Sequence, residues 1–272
     1  MKNLQDWKKL SKNEIQTIID RYVNLEMPLN KAGEIYHMNG HQVRNLLKEK
    51  GIKQRRKTVN NNRIYKVNDN YFDIQNSNMA YILGFWAADG NVHSKENRLD
   101  LELSSEDEEI LEQIRQEILC ERPIKKYQCS NGYIKNKLFF WSKKIKETFI
   151  EYGIVPNKTY SPDFKPPYKL DKKYWIDYIR GFFDGDGCIK KANSLTFEIN
   201  SVNKKFLEEI QKFFSEYYNI ELNISTTGMK GRTIPLYRLY CYGEKVKNIF
   251  NILYTPNALY LKRKYNHWLE LM

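Results

Sequence analysis

Tyr81-Ile-Leu-Gly-Phe-Trp-Ala-Ala-Asp-Gly90 and Tyr178-Ile-Arg-Gly-Phe-Phe-Asp-Gly-Asp-Gly187 are the two stretches whose reading decides the fold. Each is an apolar run of helical length with a glycine inside it and Asp-Gly at its end. Aligned on that aspartate, Asp89 and Asp186 hold equivalent places in two related halves. A glycine inside a helix costs ~1 kcal/mol relative to alanine, so Gly84 and Gly181 need a reason, and close approach of two helix backbones supplies it. Ala87, Ala88 and Gly185 continue the small face. Phe85, Trp86, Phe182 and Phe183 then turn into the core of their own halves. Helices packed this way deliver Asp89 and Asp186 side by side. Adjacent carboxylates repel one another. Divalent cations relieve that repulsion, activate water and stabilise phosphoryl charge. Mg²⁺, with Mn²⁺ as substitute, suits a sparse set of carboxylate and carbonyl ligands.

The repeat runs on beyond these helices. Leu99-Asp-Leu-Glu-Leu-Ser-Ser105 matches Leu195-Thr-Phe-Glu-Ile-Asn-Ser201 with apolar and polar positions in step, the period of a half-buried strand. Leu111, Glu112 and Ile114 fall on Leu207, Glu208 and Ile210 at helical spacing. An α+β fold of two pseudo-symmetric halves, 76–165 and 166–272, is therefore expected, joined through Ser161-Pro-Asp-Phe-Lys-Pro-Pro167, which cannot continue a helix. Ser130-Asn-Gly132 is a hairpin signal, with a counterpart around Gly228-Met-Lys-Gly231. Lys126 and Gln128 in one half, and Lys230, Arg232 and Arg238 in the other, are candidates to line a basic groove that contacts phosphate.

Ahead of the halves, residues 1–60 carry 13 lysines and arginines against 6 acids, so +7 of the chain's +12 net charge lies there. Apolar residues at helical spacing, Pro28, Gly33 and Gly51 predict three helices over 1–56, arranged as a helix-turn-helix. His37 occupies the turn position where such motifs often carry glycine. His41, Gln42, Arg44, Asn45 and Lys48 are the expected outward donors of the third helix, suited to base edges and phosphates. Residues 57–75 read as a basic linker, and Arg55 and Arg56 at its edge are candidate DNA contacts.

The rest of the composition narrows the class. With 41% hydrophobic and 29% charged residues the chain folds rather than remaining disordered, and its positive charge favours polyanions. Cys120, Cys129, Cys188 and Cys241 are isolated, and the four histidines form no metal-binding cluster, which argues against zinc hydrolysis. No apolar run spans a bilayer and no signal-peptide pattern opens the chain, so no membrane partner and an intracellular site are expected.

Ile82-Leu-Gly-Phe-Trp-Ala-Ala-Asp-Gly90 and Ile179-Arg-Gly-Phe-Phe-Asp-Gly-Asp-Gly187 resemble the two motifs of the LAGLIDADG homing endonucleases, and the resemblance covers residues 76 to 272. It implies two αββαββα repeats whose sheets form a DNA-binding saddle, in a monomer that cuts both strands of a long double-stranded site and leaves short 3′ overhangs. It implies metal binding by Asp89 and Asp186, with the backbone carbonyls of Ala88 and Gly185 facing the metals. It also implies a basic residue late in each half: Lys158 in the first, and Lys262 in the second with Lys264 as the alternative. Glu102 and Glu198, on matching outward faces, are candidate acceptors for cytosine N4. The chain departs from the motif at Ala87, where Asp184 retains the first acid, and at Ser105 and Ser201, where a glutamine is frequent. Two other functions fit the same resemblance: a cleavage-inactive DNA-binding transcription regulator, and an RNA maturase that binds its host group I intron RNA.

Overall fold

A computed structural model describes residues 7–24, 27–52, 65–130, 132–161, 163–227 and 234–271 of the chain. It divides into two compact units, residues 1–62 and 63–272. The first holds three helices, α1 (Lys12–Val23), α2 (Leu29–Gly33) and α3 (Gly40–Glu49). Ser11 with Glu14, and Asn39 with Gln42, close reciprocal capping boxes at the starts of α1 and α3. Ile18, Tyr22, Ala32, Val43, Leu46 and Leu47 form the buried core of this unit. Gly33 is packed too tightly for a side chain: a Cβ there would lie 2.5 Å from Val43 Cγ2 and 2.9 Å from Met38 Cβ. His37 takes the left-handed conformation, φ 53°, at the position where such motifs often place glycine.

The second unit begins before the first repeat. Of the stretch expected to be linker, residues 65–75 lie instead against the repeat, because Val67 and Phe72 are buried and Phe72 packs edge-on to Phe149. Then come α4 (Ser77–Asp89), β1 (Gly90–Val92), β2 (Arg98–Ser104), α5 (Glu108–Glu117), β3 (Lys125–Gln128), β4 (Ile134–Trp141) and α6 (Lys143–Glu151). The second repeat follows in the same order: α7 (Trp175–Asp186), β5 (Gly187–Lys191), β6 (Leu195–Ser201), α8 (Lys204–Tyr218), β7 (Asn223–Thr227), β8 (Leu236–Tyr242) and α9 (Glu244–Leu253). A further helix, α10 (Lys262–Leu271), ends the chain. Each repeat folds its strands into an antiparallel sheet, in the orders β1-β2-β4-β3 and β5-β6-β8-β7. The αββαββα architecture expected of each half is present. Among the described residues no helix is long and apolar enough to cross a membrane.

One feature of the repeat differs from the sequence alignment. Gly90 pairs with Leu101 and Gly187 with Ile199, so Asp100, not Glu102, is the counterpart of Glu198. The two alignments differ by two residues on the strand. Because side chains alternate with period two, a two-residue slip leaves the apolar pattern unchanged and the sequence has no means of detecting it.

The repeats meet along α4 and α7. A Cβ on Gly84 would fall 1.9 Å from the Tyr178 carbonyl oxygen, and one on Gly181 would fall 2.0 Å from that of Tyr81. Both are backbone atoms, so neither collision is relieved by turning a side chain. Gly84→Ala or Gly181→Ala is expected to cost at least about 3 kcal/mol of stability, as overpacking that only helix separation can relieve. Gly132→Ala has open space but a positive φ, and should cost about 1 kcal/mol. Urea denaturation of the three variants checks this order.

Candidate active centre

Two helices that touch at mid-length also end together. Both α4 and α7 stop on their aspartate, and the chain passes straight into a strand through a glycine with extended backbone. Those glycines are sterically required, since a Cβ at Gly90 would meet Trp86 Cδ1 at 2.0 Å and one at Gly187 would meet Phe183 Cδ2 at 2.0 Å. The aromatic residue four before each glycine thus seals the helix end against its sheet.

Asp89 and Asp186 are both exposed to solvent at the helix ends, while protein atoms crowd the inner side of each carboxyl. Crowding by protein and the neighbouring Asp186 push the Asp89 carboxyl up to about 6, against the pull of Lys264 and Lys158. Asp186 is likewise raised by desolvation, with Lys158 and Lys264 acting in the opposite sense. Among the described residues neither carboxylate accepts a protein hydrogen bond. Both stand at helix C-termini, where the macrodipole disfavours anions and favours cations.

Two ammonium groups share this recess. Lys158 donates to the Gly90 carbonyl, and Lys264 donates to the carbonyls of Gly187 (2.6 Å) and Phe183 (2.7 Å), with Gly185 at 3.4 Å. Gly90 and Gly187 are equivalent, so Lys158 and Lys264 are the matched pair. Burial lowers the pKa of both lysines and the aspartates partly restore it. Lys262, the favoured candidate from sequence, is corrected by this geometry. It opens α10 on the exposed side and pairs with Glu109 at 3.4 Å, while Lys264, two residues further on, reaches the carbonyls.

A divalent cation fits these donors. Hard carboxylate oxygens with unused lone pairs converge at two negative helix ends, and each carboxyl resists ionisation without a compensating charge. The Ala88 carbonyl lies in the last turn of α4, where the helix itself offers no amide partner. Gly185 offers less, because Lys264 already faces its carbonyl. Among the described residues no group of three or more His, Cys, Asp or Glu side chains gathers as a metal site, so an ion here would rest on two carboxylates, carbonyls and water.

The motif's first acid has a different task. Asp184 is buried and accepts from Tyr81 Oη (2.8 Å), Tyr254 Oη (2.5 Å) and the Leu261 amide (2.7 Å). In the first repeat Ala87 stands in its place. Tyr178, the counterpart of Tyr81, consequently keeps a buried hydroxyl with no hydrogen-bond partner.

The sheet faces turned away from the helices carry the remaining candidates. Strand pairing sets Lys125 beside Lys137 and Tyr127 beside Lys135 on the open face of the first sheet. Lys126 and Gln128 are thereby corrected to the helix side: Lys126 lies opposite the buried Asn136 and pairs with Glu108 at 2.6 Å. Gln128 donates to the Gly132 carbonyl. A four-residue polar strand has no apolar alternation to set its phase, so sequence could not choose between faces; β4, with Leu138 and Phe140 inward, supplies the missing parity.

Glu102 and Glu198 do lie on open faces, yet their oxygens are engaged. Burial raises Glu102, but hydrogen bonds from Tyr127, Lys135 and Lys137 outweigh it and hold its pKa at about 2. Glu198 accepts from Lys190 and Asn200 at 2.9 Å and faces Arg238 at 3.5 Å. Each carboxylate thus gathers basic side chains of its own sheet. Arg238 is on the open face as expected, over the Tyr240 ring at 4.1 Å. Sequence reading missed Asp100, which gathers His93, Arg98 and Lys137, and Arg122, which lies over Tyr65 and Phe139.

In the N-terminal unit His41, Asn45 and Arg44 are exposed on α3, whereas Gln42 is half-buried and bonds the Asn39 amide at 2.9 Å. Arg55, Arg56, Lys230 and Arg232 lie outside the described residues, as does the turn at 228–231.

A profile of the LAGLIDADG-like domain matches residues 76–119 and 176–253. The ribonucleoside-diphosphate reductase NrdEB subunit alpha of Bacillus subtilis (strain 168), and its namesake from Bacillus phage SPbeta, are 26% identical over 162 residues. That match covers 52% of this chain but spans only 14% of those relatives' length. Among solved structures, I-DmoI in complex with DNA and Ca is 16% identical, with a TM-score of 0.48 over 74% of this chain and 99% of that one. The I-LtrWI LAGLIDADG homing endonuclease bound to target DNA is 15% identical, with a TM-score of 0.48 over 75% and 90%. The N-terminal LAGLIDADG domain of DUF199/WhiA is 17% identical, with a TM-score of 0.44 over 75% and 95%.

Two stability measurements test the centre. The folded-state pKa of Asp89 is above its ordinary value, so its charge costs stability fully above about pH 6 and not at all below about pH 4. Asp89→Asn should therefore stabilise the metal-free protein at pH 7 by on the order of 1 kcal/mol after solvent screening, a gain that fades as pH falls to 4. The buried tyrosines should diverge under one substitution. Tyr81→Phe should cost about 1–2 kcal/mol by removing a donor to Asp184, while Tyr178→Phe should be neutral or stabilising. Thermal unfolding of both variants in parallel checks the contrast.

Proposed function

We propose that this chain, which carries a LAGLIDADG-like domain in two repeats, is a site-specific endonuclease that hydrolyses both strands of double-stranded DNA with divalent metal. The observation that carries the proposal is the pair Asp89 and Asp186 at adjoining helix ends, unpartnered by protein donors and flanked by Lys158 and Lys264. One chain supplies both members of the pair, which supports action as a monomer.

A bound divalent ion, Mg²⁺ by preference, would supply an activated water and charge stabilisation at the scissile phosphate. Asp89, Asp186 and the Ala88 carbonyl are the groups to hold it. Lys158 and Lys264 contribute positive charge beside the carboxylates, where negative charge builds on a phosphate under attack. The open sheet faces offer Lys125, Lys135, Lys137, Arg98 and Arg238 interleaved with aromatic rings, a surface matched to phosphates and base edges. His41, Arg44 and Asn45 on α3 would extend the contact along the DNA.

A DNA-binding regulator on the same fold is the second reading. It has no need of two carboxylates kept at a cost, and retention of both Asp89 and Asp186 favours cleavage. The deciding measurement is digestion of a randomised-site duplex library with Mg²⁺, beside the Asp89→Asn/Asp186→Asn double variant. Ends that share one long site and a short 3′ overhang, absent with the variant, are expected. Selective binding without ends in Mg²⁺ or Mn²⁺ would replace this reading with the regulator.

A further inference from the structure

The two lysines of the centre are matched in position but not in how they are held. On α7, Arg180 and Asp184 are both buried, one turn apart, and both reach the segment that leads into α10. Arg180 donates to the carbonyls of Leu253 (2.9 Å) and Leu259 (2.8 Å), and its remaining arm pairs with Asp177 at 2.8 Å. Asp184 takes the Leu261 amide at 2.7 Å. Beyond it, Arg263 forks onto Asp107 of the first repeat with two bonds of 3.0 Å. Lys264 is the next residue. Its backbone is thus fixed from beneath by α7 and from the side by the opposite repeat.

The positions equivalent to Arg180 and Asp184 on α4 are Leu83 and Ala87, which offer no hydrogen bond. Lys158 opens a three-residue 3-10 turn, Lys158–Tyr160, beside a cavity of about 280 Å³ lined by Gly90, Asn91, Val92, Val155, Asn157 and Thr159. A cavity of about 220 Å³ also borders Tyr260, Leu261, Lys262 and Arg263, so the contrast between the two segments lies in their anchoring hydrogen bonds and not in free space.

We propose that Arg180, Asp184 and Arg263 are positioning residues that lock Lys264 in the centre, and that the Lys158 half, lacking them, acts on its DNA strand more slowly. The rate difference rests on the endonuclease reading; the locking does not.

Hydrogen exchange on the full metal-free chain tests the lock without any cleavage. The Leu261 amide should exchange at least tenfold more slowly than the amides of residues 158–161, and Asp184→Asn should remove most of that difference. Arg263→Gln, at a half-exposed site, keeps the fold intact and should raise exchange at 261–264 several-fold. On the duplex recovered from the library, each strand is then labelled separately. Wild type should accumulate a nick in one strand, the strand whose cleavage Lys264→Met abolishes. Asp184→Asn and Arg263→Gln should slow that strand at least tenfold and the other less than threefold. Ile210→Val, a core change in α8, controls for general destabilisation and should show no strand bias. Equal slowing of both strands, or equal exchange in the two segments, overturns the proposal. Failure of wild type to cut at all removes the endonuclease reading and the rate claim with it, while the exchange comparison still decides the lock.

Discussion

Contact between the backbones of α4 and α7 is the constraint from which the rest of the second unit follows. With no Cβ at Gly84 or Gly181, each helix lays its glycine against the other's carbonyl. Helices this close bring their C-terminal ends together as well, and whatever side chains occupy those ends become neighbours. Each helix then passes at once into its first strand, through the sealed turns at Gly90 and Gly187. The position of both sheets, and the open faces they present, is set by where the two helices end.

The same contact creates an electrostatic problem that the sequence keeps rather than removes. Two carboxylates sit at two negative helix ends, in a recess that raises the pKa of each. Among the described residues Lys158 and Lys264 do not neutralise them by direct pairing; their protons go to backbone carbonyls in the last turn of α7 and just beyond the two helix ends. The oxygens of Asp89 and Asp186 are left for something else. A fold selected for stability alone would place asparagine or a lysine salt bridge here, so the arrangement is costly to folding and marks the helix ends as a candidate functional site.

How much of this was legible in the sequence depends on the range of the interaction concerned. The helix pair, the aspartates and the repeated architecture were visible because glycine in an apolar helix is costly and a duplicated cost is hard to ignore. Arg238 was named from its sequence neighbourhood alone, and the structure sets it on the open face because Leu239 and Cys241 alternate inward on its strand. The phase of β3 was not visible, since Lys125-Lys-Tyr-Gln128 has no apolar parity, and only pairing with β4 settles it. The choice of Lys264 over Lys262 depends on how α10 is rotated, which is set by Leu261 and Arg263 binding residues far away in sequence. Long-range hydrogen bonds of that kind leave no local trace.

The divergence between the repeats lies in buried polar groups more than in the apolar core. Leu83 and Ala87 on α4 need no partner. Arg180 and Asp184 on α7 must each recover the desolvation cost of a buried charge, and the ion pair Arg180 makes, with Asp177, is of a kind that rarely adds stability over an apolar contact. Arg180 binds the carbonyls of Leu253 and Leu259 and the Asp177 carboxylate, Asp184 accepts from the Tyr81 and Tyr254 hydroxyls and the Leu261 amide, and three of these six bonds thus hold backbone atoms ahead of Lys264. The return on a buried ion pair of this kind is geometry. The unpaired Tyr178 hydroxyl marks the place in the first repeat where an acid like Asp184 would sit, and where the chain has an alanine instead. A duplicated fold thus keeps both aspartates, which any metal-dependent centre on the helix pair requires, while holding only one of its two lysines fast.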